Sequence, residues 1–429
     1  MMFKHFILLS FFSIYLCSTE IKIASYNVEN LFDMVYDGSE YKDYIPYTHE
    51  WTSKNFQKKL LNISEVICDI NADIIGLQEI ENKNVLKKLQ KSLKRIGCTY
   101  KYSAITSKNK SAIQVAILSR FPIKYFKEIV VKKSFRYRNI LEVKYVIDGY
   151  SFFVYVNHWS SKRAKESKRI ISAKALIKRL KLLKENSEYI LLGDFNSDYD
   201  EYLHLENKYN DSQNKTGINH VLHTVKANNL FVRNTNFTKN SFEHYNLWLE
   251  QPNYKRWSHN FYGKKQALDA MILPKSLFNG KGLDYINHSF SILKKPYLFH
   301  DKGYIFRWVY KKKKHKGVGY SDHLPIVASF STTKYFREKK IIENEQLIDQ
   351  LYNKDVLFPV ILKKIKVIVK EKNKITISQE KSKKNIFLYG SKNYFDLNGF
   401  YDLKVYNRKI YKGHYEIIDF EIEKRYDSK

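Results

Sequence analysis

The chain has 429 residues and carries 75 Lys and Arg against 44 Asp and Glu, a formal net charge of +31. Its hydrophobic fraction of 44% is typical of a globular protein and excludes a disordered polar tail. A chain of this length can bury a large core and form two domains. Its 3 cysteines are too few for a disulfide scaffold or a Cys-type zinc site.

The excess of positive charge suits a polyanionic partner, which could be nucleic acid, anionic lipid headgroups or polysaccharide. A lysine-rich surface that is merely solvated is the alternative, because Lys, Asn, Ile and Tyr are also the residues that AT-rich codons favour. Charge alone therefore indicates a class of partner without choosing among its members.

The N-terminus has the pattern of an export signal. Lys4 and His5 precede an apolar run at residues 6–17, and small or polar residues follow. A membrane-spanning helix needs roughly 20 apolar residues, so this run is too short for a comfortable span. We therefore predict a cleaved signal at residues 1–19, rather than a retained anchor, and a periplasmic or secreted protein.

Two cysteines remain after such a cleavage. Cys68 lies on the apolar face of a predicted helix, where a buried free thiol is the default expectation. A single disulfide with Cys98 is the alternative in an oxidising compartment.

Apolar segments with helical or strand periodicity alternate along residues 20–330. Strands that come singly and in pairs between helices are typical of packed sheets flanked by helices. The predicted helices lie at residues 55–70, 84–96 and 165–184, and the predicted strands begin at residue 21 and occupy residues 73–77, 112–118, 140–147, 152–156, 189–192, 267–273 and 326–330.

Four acids lie beside these apolar strands and far apart in the sequence: Glu29 in YNVEN, Glu79 in LQEIE, Asp194 in GDFNS and Asp322 in SDHLP. An acid at a strand end is more often a solvated turn residue. Four such acids together with neighbouring Asn and His residues are hard to assign to chance. Hard oxygen donors beside an imidazole can bind a divalent cation and perform acid–base chemistry on phosphate esters.

Six motifs, SYNVEN, LQEIE, NHW, GDFNS, LDAMILP and SDHLP, stand in the order found in the endonuclease/exonuclease/phosphatase superfamily. The chain resembles this superfamily, whose fold is DNase I-like, over residues 20–330. The resemblance implies a four-layered α/β sandwich that forms a catalytic domain at residues 20–333. It is much less specific for the substrate, because the superfamily also contains lipid and inositol-phosphate phosphoesterases.

The C-terminal part of the chain has a different character. Residues 334–354 are polar and predict a linker that is helical in its second half, and residues 355–429 resemble a small OB-like β-barrel. Aromatic rings among lysines could bind a single strand of nucleic acid on such a barrel, although some of them must fill its core. The rings belong to Tyr389, Tyr394, Phe395, Tyr401, Tyr406, Tyr411 and Tyr415.

The resemblance implies a metal-binding group. Glu79 matches the principal metal ligand, and Asn27, Glu29 and Asp322 match positions that bind or surround the metal. All of these side chains are hard oxygen donors, which favours Mg²⁺, with Mn²⁺ or Ca²⁺ as substitutes.

The resemblance also implies an acid–base group. His323 is expected to act as a general base or to polarise the phosphate, while Asp269 accepts a proton from it and fixes its tautomer. Asp194 and Asn196 are expected to position the attacking water and the phosphate. His158 is expected to donate to the phosphate or to the leaving group.

Further residues are predicted to contact phosphate or nucleic acid. Asn157 lies in VNHW, and Arg138 matches a phosphate-contacting arginine of nuclease members. Arg256 and Trp257 lie in a basic and aromatic stretch, residues 246–269, that could hold a nucleic-acid strand or be a packed loop. Scattered histidines without zinc-ligand spacing are predicted to have no role in the site: His49, His204, His220, His223, His244, His259 and His300.

These patterns predict an exported, metal-dependent nuclease, with DNA favoured over RNA as the substrate. The alternative is a phosphodiesterase or phosphatase that uses the same site on a lipid or small phosphoester, as a sphingomyelinase-like enzyme does. A third possibility is a non-catalytic binding protein on the same scaffold, which the presence of the core acids and His323 disfavours.

Overall fold

The computed structural model describes residues 19–239, 242–261, 263–333, 344–353, 355–371, 374–389 and 394–426. The predicted signal at residues 1–19 therefore lies outside the described residues, except for Thr19. Residues 334–343 of the predicted linker also lie outside them. None of the described helices is both long enough and apolar enough to cross a membrane.

The secondary structure of the described residues agrees with the sequence predictions, and α1, α2 and α3 confirm the three predicted helices. The helices are α1 (Ser53–Ile70), α2 (Lys83–Arg95), α3 (Glu166–Leu180) and α4 (Glu201–His204). The strands are β1 (Glu20–Leu31), β2 (Ile74–Ile80), β3 (Tyr102–Ile105), β4 (Gln114–Ser119), β5 (Tyr125–Ile129), β6 (Ile140–Ile147), β7 (Tyr150–His158), β8 (Glu188–Asp194), β9 (His244–Asn246), β10 (His259–Phe261), β11 (Lys264–Gln266), β12 (Asp269–Pro274), β13 (Asp284–Tyr285), β14 (Ser291–Ile292), β15 (Tyr310–Lys311), β16 (Lys314–His315), β17 (Ile326–Ser331), β18 (Val360–Lys370), β19 (Lys374–Ser378), β20 (Ile386–Tyr389), β21 (Phe400–Tyr411) and β22 (His414–Tyr426).

Two sheets pack face to face and form the sandwich. The first has the strand order β13-β17-β1-β2-β4-β3, with β14 also paired to β17, and the second has the order β5-β6-β7-β8-β12-β9. Apolar residues of α1 and α2 pack on the outer face of the first sheet. Apolar residues of α3 pack against the second sheet and belong to the same core cluster as the residues between the two sheets. The result is a four-layered α/β sandwich, which confirms the predicted fold.

Polar side chains at the helix ends explain where α1 and α2 begin. Thr52 accepts a hydrogen bond from the backbone N–H of Asn55, and Asn82 accepts one from that of Val85. Each side chain satisfies an N–H group that the first turn of a helix leaves without a partner.

A disulfide links the two helical segments. Cys68 of α1 is bonded to Cys98, which follows α2, and their Cα atoms are 5.7 Å apart. The default expectation of a free thiol at Cys68 was therefore wrong, and the alternative holds. Helical periodicity places Cys68 on a buried face, but it does not show that the segment after α2 returns to that face.

Two glycines allow the close approach of strands near the site. A Cβ atom on Gly76 of β2 would lie 2.3 Å from Leu192 Cδ1 of β8, where the two sheets face each other. Gly193 has φ of +133°, and a Cβ atom there would lie 2.1 Å from the carbonyl oxygen of Asn157. The glycine in the GDFN motif thus lets β8 pack tightly against β7 directly before Asp194.

The C-terminal residues form a closed barrel in the order β18-β19-β20-β22-β21. This barrel is consistent with the predicted OB-like domain. Ile348 and Leu351, which lie in a 3₁₀-helix within the predicted linker, are fully buried in the core of the barrel. The backbone N–H of Gln346 also donates to the carbonyl of Ile361 in β18. The second half of the predicted linker therefore belongs to the barrel.

The barrel is attached to the sandwich through buried polar contacts. The Tyr394 hydroxyl lies 2.5 Å from Asp200 Oδ2 and 3.0 Å from the Tyr199 hydroxyl. Arg233 forms an ion pair with Glu421 of β22. Because Tyr394 also lines the main cleft of the sandwich, the barrel contributes to the wall of that cleft.

Candidate active site

The registers of three neighbouring strands bring catalytic candidates together. In the second sheet, His158 at the end of β7 pairs with Asp194 at the end of β8, which in turn pairs with Asp269 at the start of β12. Side chains at paired positions project from the same face of a sheet. Residues separated by up to 111 positions in the sequence therefore meet at one edge of the sandwich.

Asn27 joins the carboxylates of the two sheets. Its Nδ2 lies 3.1 Å from Glu79 Oε1 and 3.1 Å from Asp194 Oδ2, while its Oδ1 accepts the backbone N–H of Glu29. The amide therefore orients the two acids, which is compatible with the predicted position beside the metal. Asn196, which was predicted to position the water and the phosphate, has its Nδ2 3.1 Å from the same Asp194 oxygen and therefore also orients this acid.

Left-handed backbone conformations cluster at the site. Glu29, Asn30, Glu79 and Asn196 have φ values of 52°, 59°, 67° and 48°. Such conformations cost energy in residues other than glycine and are concentrated at functional sites. At Asn30, the left-handed conformation accompanies a hydrogen bond from its backbone N–H to Glu79 Oε2, 2.8 Å away.

His323 and Asp269 form the predicted histidine–acid pair. His323 Nδ1 lies 2.7 Å from Asp269 Oδ2, and the Ser258 hydroxyl donates to the same oxygen at 2.6 Å. Burial by itself lowers the pKa of His323, but the negative charges of Asp269, Asp322 and Asp194 outweigh it and raise this pKa well above its usual value. These charges favour the imidazolium form of His323, and the bond to Asp269 holds its ring in one orientation.

His158 has the opposite electrostatic character. Burial, followed by the positive charges of Arg138 and His323, holds the pKa of His158 well below its usual value. Its Nε2 lies 3.5 Å from Asp194 Oδ2 and 3.7 Å from Glu79 Oε1. The site thus contains one neutral imidazole and one charged imidazole, which suits different tasks in proton transfer.

The acids of the cluster fit a divalent cation. One ligand atom from each of Glu79, His158 and Asp194 can be chosen so that all three lie within 4.8 Å of one another. Burial and the charge of Asp322 raise the pKa of Glu79. Burial and the charges of Asp269 and Glu79 raise the pKa of Asp194 to about 7, against the opposing effect of His323. Such buried and mutually repelling carboxylates are stabilised by a cation that they share.

Cation binding is expected to depend on pH. Below about pH 7 a proton occupies the carboxylate of Asp194, and the raised pKa of Glu79 favours its protonation as the pH falls further; both protons compete with the cation, so the apparent Mg²⁺ affinity should fall as the pH falls. Each displaced proton changes the affinity by up to about tenfold per pH unit. Calorimetric titrations at pH 6 and pH 8, in buffers of different ionisation enthalpy, measure both effects. An affinity that does not change between these pH values would contradict this electrostatic description.

Glu29 occupies a different position from the one predicted. Its carboxylate is paired with Arg307, and it also accepts the backbone N–H of Trp308. Arg307 reaches onward to Asp322, with 3.4 Å between Nη2 and Oδ2. Glu29 therefore holds Arg307, which lines the cleft and whose sequence neighbours gave no signal of a role. Because Arg307 also contacts the predicted ligand Asp322, it would compete with a metal ion for that carboxylate.

His259 was wrongly left out of the predicted site. Its ring lies 4.7 Å from that of His323, and its Nε2 is 3.8 Å from Asp322 Oδ2. The segment is fixed there because the N–H of Leu324 donates to the carbonyl of Ser258. Only this pairing of distant segments distinguishes His259 from the scattered histidines, so the sequence offered no basis for selecting it.

The predicted phosphate contacts have mixed outcomes. Asn157 is fully buried and bonded to the carbonyls of Tyr155 and Leu192, which makes it a structural residue. Trp257 is 8% exposed and packs in the core under α1 and α2, so the packed-loop alternative is correct for this ring. Arg256 is also buried, and its Nε donates to the carbonyl of Gln251 at 2.7 Å, although the residue lines the cleft.

Arg138, the predicted phosphate contact, lies at the edge of the acid cluster. It lines the cleft, and its guanidinium donates to the carbonyls of His158 and Trp159 at 3.1 and 2.5 Å. These bonds fix the arginine beside the acid cluster.

The cluster lies in a cleft of about 1270 Å³. Glu79, His158, Asp194, Asp322 and His323 line it, while Asn27 and Asp269 are buried and do not. Exposed cations line other parts of the same cleft: Arg163, Lys264, Lys265 and Arg307. The arrangement combines cation ligands, two imidazoles with opposite pKa shifts, and a wall on which lysines and arginines alternate with further acids such as Asp198 and Glu206.

Comparison with known proteins gives a family match. A model described as "Endonuclease/Exonuclease/phosphatase family" matches residues 22–332. This range covers the whole sandwich except the first two residues of β1, and it ends before the barrel. No curated protein matches the chain.

Several solved structures are similar to the chain. An endonuclease/exonuclease/phosphatase family protein from Bacteroides thetaiotaomicron is 14% identical, with a TM-score of 0.47, over 73% of this chain and 98% of its own. A family protein from Leptotrichia buccalis is 17% identical, with a TM-score of 0.44, over 72% of this chain and 99% of its own. TDP2 from D. rerio, complexed with a single-strand DNA product, is 14% identical, with a TM-score of 0.46, over 73% of this chain and 99% of its own.

Proposed function

Since the chain belongs to the endonuclease/exonuclease/phosphatase family, we propose that it is an exported, metal-dependent nuclease that hydrolyses the phosphodiester bonds of nucleic acid, with DNA favoured. One observation carries the proposal. Glu79, Asp194 and His158 lie beside the His323–Asp269 pair in a cleft whose wall also carries Arg138, Arg163 and Lys265.

Glu79 and Asp194 are the residues that hold the cation, with Asn27 orienting both carboxylates. Oxygen donors of this kind favour Mg²⁺, and Mn²⁺ or Ca²⁺ can substitute for it. The bound cation supplies Lewis-acid stabilisation of the charge that develops on the phosphoryl oxygens.

The imidazoles and Asp194 divide the proton chemistry. The charged Nε2 side of His323 binds a non-bridging phosphate oxygen, because its Nδ1 is already bonded to Asp269. The ionised carboxylate of Asp194 orients the attacking water and accepts its proton as the water attacks phosphorus. His158 is neutral and donates a hydrogen bond to the substrate, while Arg138 adds a fixed positive charge.

The shape and charge of the cleft favour a polymer over a small phosphoester. A volume of about 1270 Å³ exceeds the roughly 300–1,000 Å³ of typical small-molecule pockets. Exposed Lys264, Lys265 and Arg163 lie along it beyond the acid cluster, where successive phosphates of a strand would pass.

Two observations support export of the protein. The apolar N-terminal run has the pattern of a cleaved signal. The Cys68–Cys98 disulfide is a bond that persists in the periplasm or outside the cell.

A lysine and aromatic surface on the barrel supports binding of single-stranded nucleic acid. Tyr389 and Tyr411 are each 51% exposed, and Lys409 Nζ lies 4.5 Å and 5.2 Å from their ring centroids. On the next strand, Lys374 Nζ lies 3.5 Å from the Phe387 ring. Rings that stack on bases and lysines that contact phosphates form the usual platform for single strands.

Replacing both exposed tyrosines with alanine tests this surface. The Tyr389→Ala/Tyr411→Ala variant should bind a labelled single-stranded oligonucleotide at least about 30-fold more weakly, since each stacked base contributes about 1–3 kcal/mol and two rings are removed. Fluorescence anisotropy measures the affinity. Tyr304→Ala, which removes a ring that is 54% exposed on the sandwich, is the matched control. Equal binding by the double variant and the control would rule out this surface.

A substrate panel tests the proposed activity. Purified full-length protein is incubated with duplex DNA, single-stranded DNA, RNA and sphingomyelin vesicles in Mg²⁺ or EDTA. Cleavage of nucleic acid that EDTA abolishes is the expected result. Release of phosphocholine without cleavage of nucleic acid would replace the proposal with the lipid phosphodiesterase alternative.

A further inference from the structure

A second group of acids lies close to the active site but does not belong to it. Ligand oxygens from Asp37, Glu40 and Glu81 lie within 4.8 Å of one another. Asp37 and Glu40 are in the loop after β1, and Glu81 directly follows β2. None of the three lines the catalytic cleft among the described residues.

Glu81 is the unusual member of this group. Its side chain is 3% exposed, and its Oε1 is buried without a hydrogen-bond partner among the described residues. Its Oε2 accepts the backbone N–H of Asp33 at 2.7 Å. A buried carboxylate oxygen that receives no donor is costly to keep ionised, and burial together with the charges of Asp33, Glu40 and Asp37 raises the pKa of Glu81 to about 8. A proton or a shared cation can neutralise it.

The local cations do not fill this position. Lys88 is bonded at 2.8 Å to Asp33 Oδ2, and its Nζ is not paired with Asp37, Glu40 or Glu81 in the described structure. Backbone N–H groups in the same loop hold Glu40, whose Oε1 and Oε2 accept from residues 37 and 38 at 2.6 and 2.9 Å. An ionised carboxylate that accepts one hydrogen bond per oxygen still has free lone pairs for a metal ion.

We propose that Asp37, Glu40 and Glu81 bind a second divalent cation, of the calcium class, that is separate from the cation at Glu79. The ligands are hard carboxylate oxygens without any imidazole or thiolate. Asp37 and Glu40 come from an irregular surface loop, and Ca²⁺ tolerates such flexible ligand geometry better than Mg²⁺ does. Solvent completes the coordination, since Asp37 is exposed and gives the ion a path of entry.

The cation fixes a loop that belongs to the wall of the cleft. It ties the segment after β1 to the end of β2, two residues beyond Glu79. Tyr41, which follows Glu40 in this segment, lines the cleft. The site is therefore structural, and it positions the loop without contacting the substrate.

Counting bound calcium in variants that lack the catalytic ligand tests the proposal without any use of activity. The full-length Glu79→Gln protein should bind one Ca²⁺ per chain by calorimetry. Adding Glu81→Gln should weaken this binding at least tenfold, and Ca²⁺ should no longer raise Tm. Adding Glu185→Gln, an exposed acid outside the cluster, is the matched control and should change neither result.

A second variant keeps the test decisive if Glu81→Gln does not fold. Glu40→Gln changes a residue of the surface loop, and the side chain of Glu40 is only partly buried. This variant should weaken Ca²⁺ binding in the same way. Unchanged Ca²⁺ binding in Glu79→Gln/Glu40→Gln, or no Ca²⁺ binding by Glu79→Gln itself, would overturn the proposal. Neither result depends on whether the protein is a nuclease.

Discussion

Glu79→Gln is expected to lower kcat/KM for phosphodiester cleavage by about 1,000-fold. The substitution removes the negative charge from the carboxylate that lies between the two sheets and faces the cleft. Metal-assisted stabilisation contributes several kcal/mol, and each 1.4 kcal/mol corresponds to about a tenfold change in rate. Raising the Mg²⁺ concentration should restore part of the activity, because the loss arises from weakened binding of the cation.

Glu79→Gln should reduce activity without unfolding the protein. Glutamine has the same shape, and its oxygen can still accept the N–H of Asn30. The fold around β1 and β2 should therefore persist, as a thermal melt can check. Glu185→Gln changes the net charge equally at an exposed position and should keep full activity. If Glu79→Gln cleaves as fast as this control at the same Mg²⁺ concentration, Glu79 does not hold the catalytic cation.

Asp269→Asn should lower kcat by about 10²- to 10⁴-fold, the range expected for loss of an oriented acid–base group. Asp269 accepts from His323 Nδ1 at 2.7 Å, and it is the largest of the charges that raise the pKa of His323. Without this charge, the pKa of His323 falls and the imidazolium loses its proton at a lower pH. The basic limb of the pH–rate profile should therefore move to lower pH.

A neighbouring variant separates this effect from a general disturbance of the site. Ser258→Ala removes the hydroxyl that donates to the same Asp269 oxygen but leaves the carboxylate charge in place. It should reduce activity much less and should not shift the basic limb to lower pH. A basic limb that is unchanged in Asp269→Asn would show that His323 does not act as the charged group.

The helices and strands could be predicted because apolar periodicity is a local signal, as in α1, α2 and α3. The site candidates were selected by their motifs and by the resemblance: Glu79 and Asp194 lie at the ends of β2 and β8, whereas Asp269 begins β12 and Asp322 precedes β17. The ends of neighbouring strands in two facing sheets meet at one edge, so Asp194 and Glu79 converge once the fold is known. That fold came from the resemblance, since periodicity does not fix strand order.

The misassigned residues depend on contacts that no local pattern contains. Glu29 and Arg307 are 278 positions apart, and only their meeting shows that the acid serves an arginine. His259 enters the site through the pairing of its segment with the Asp322–His323 segment. Trp257 and Asn157 have residue types that suit ligand binding, but their burial became visible only when the surrounding loops were placed.

In the barrel, too, the sequence identified a group of residues but not their positions in the fold. Its aromatic residues were visible as a group, yet the sequence could not separate the core from the surface. Phe395 and Tyr401 are buried, while Tyr389 and Tyr411 are half exposed. Alternation does not sort Tyr401 from Tyr411 because β21 and β22 have irregular registers at several points, and Phe395 lies outside the strands.

The most direct test of the proposed site is an anomalous difference map from crystals of the full-length protein soaked in Mn²⁺. A peak within about 2.5 Å of a Glu79 carboxylate oxygen, with Asp194 as a neighbouring ligand, is the result that we predict. A well-ordered map in which manganese binds elsewhere and leaves Glu79 and Asp194 without metal would contradict the assignment on which the proposed chemistry depends.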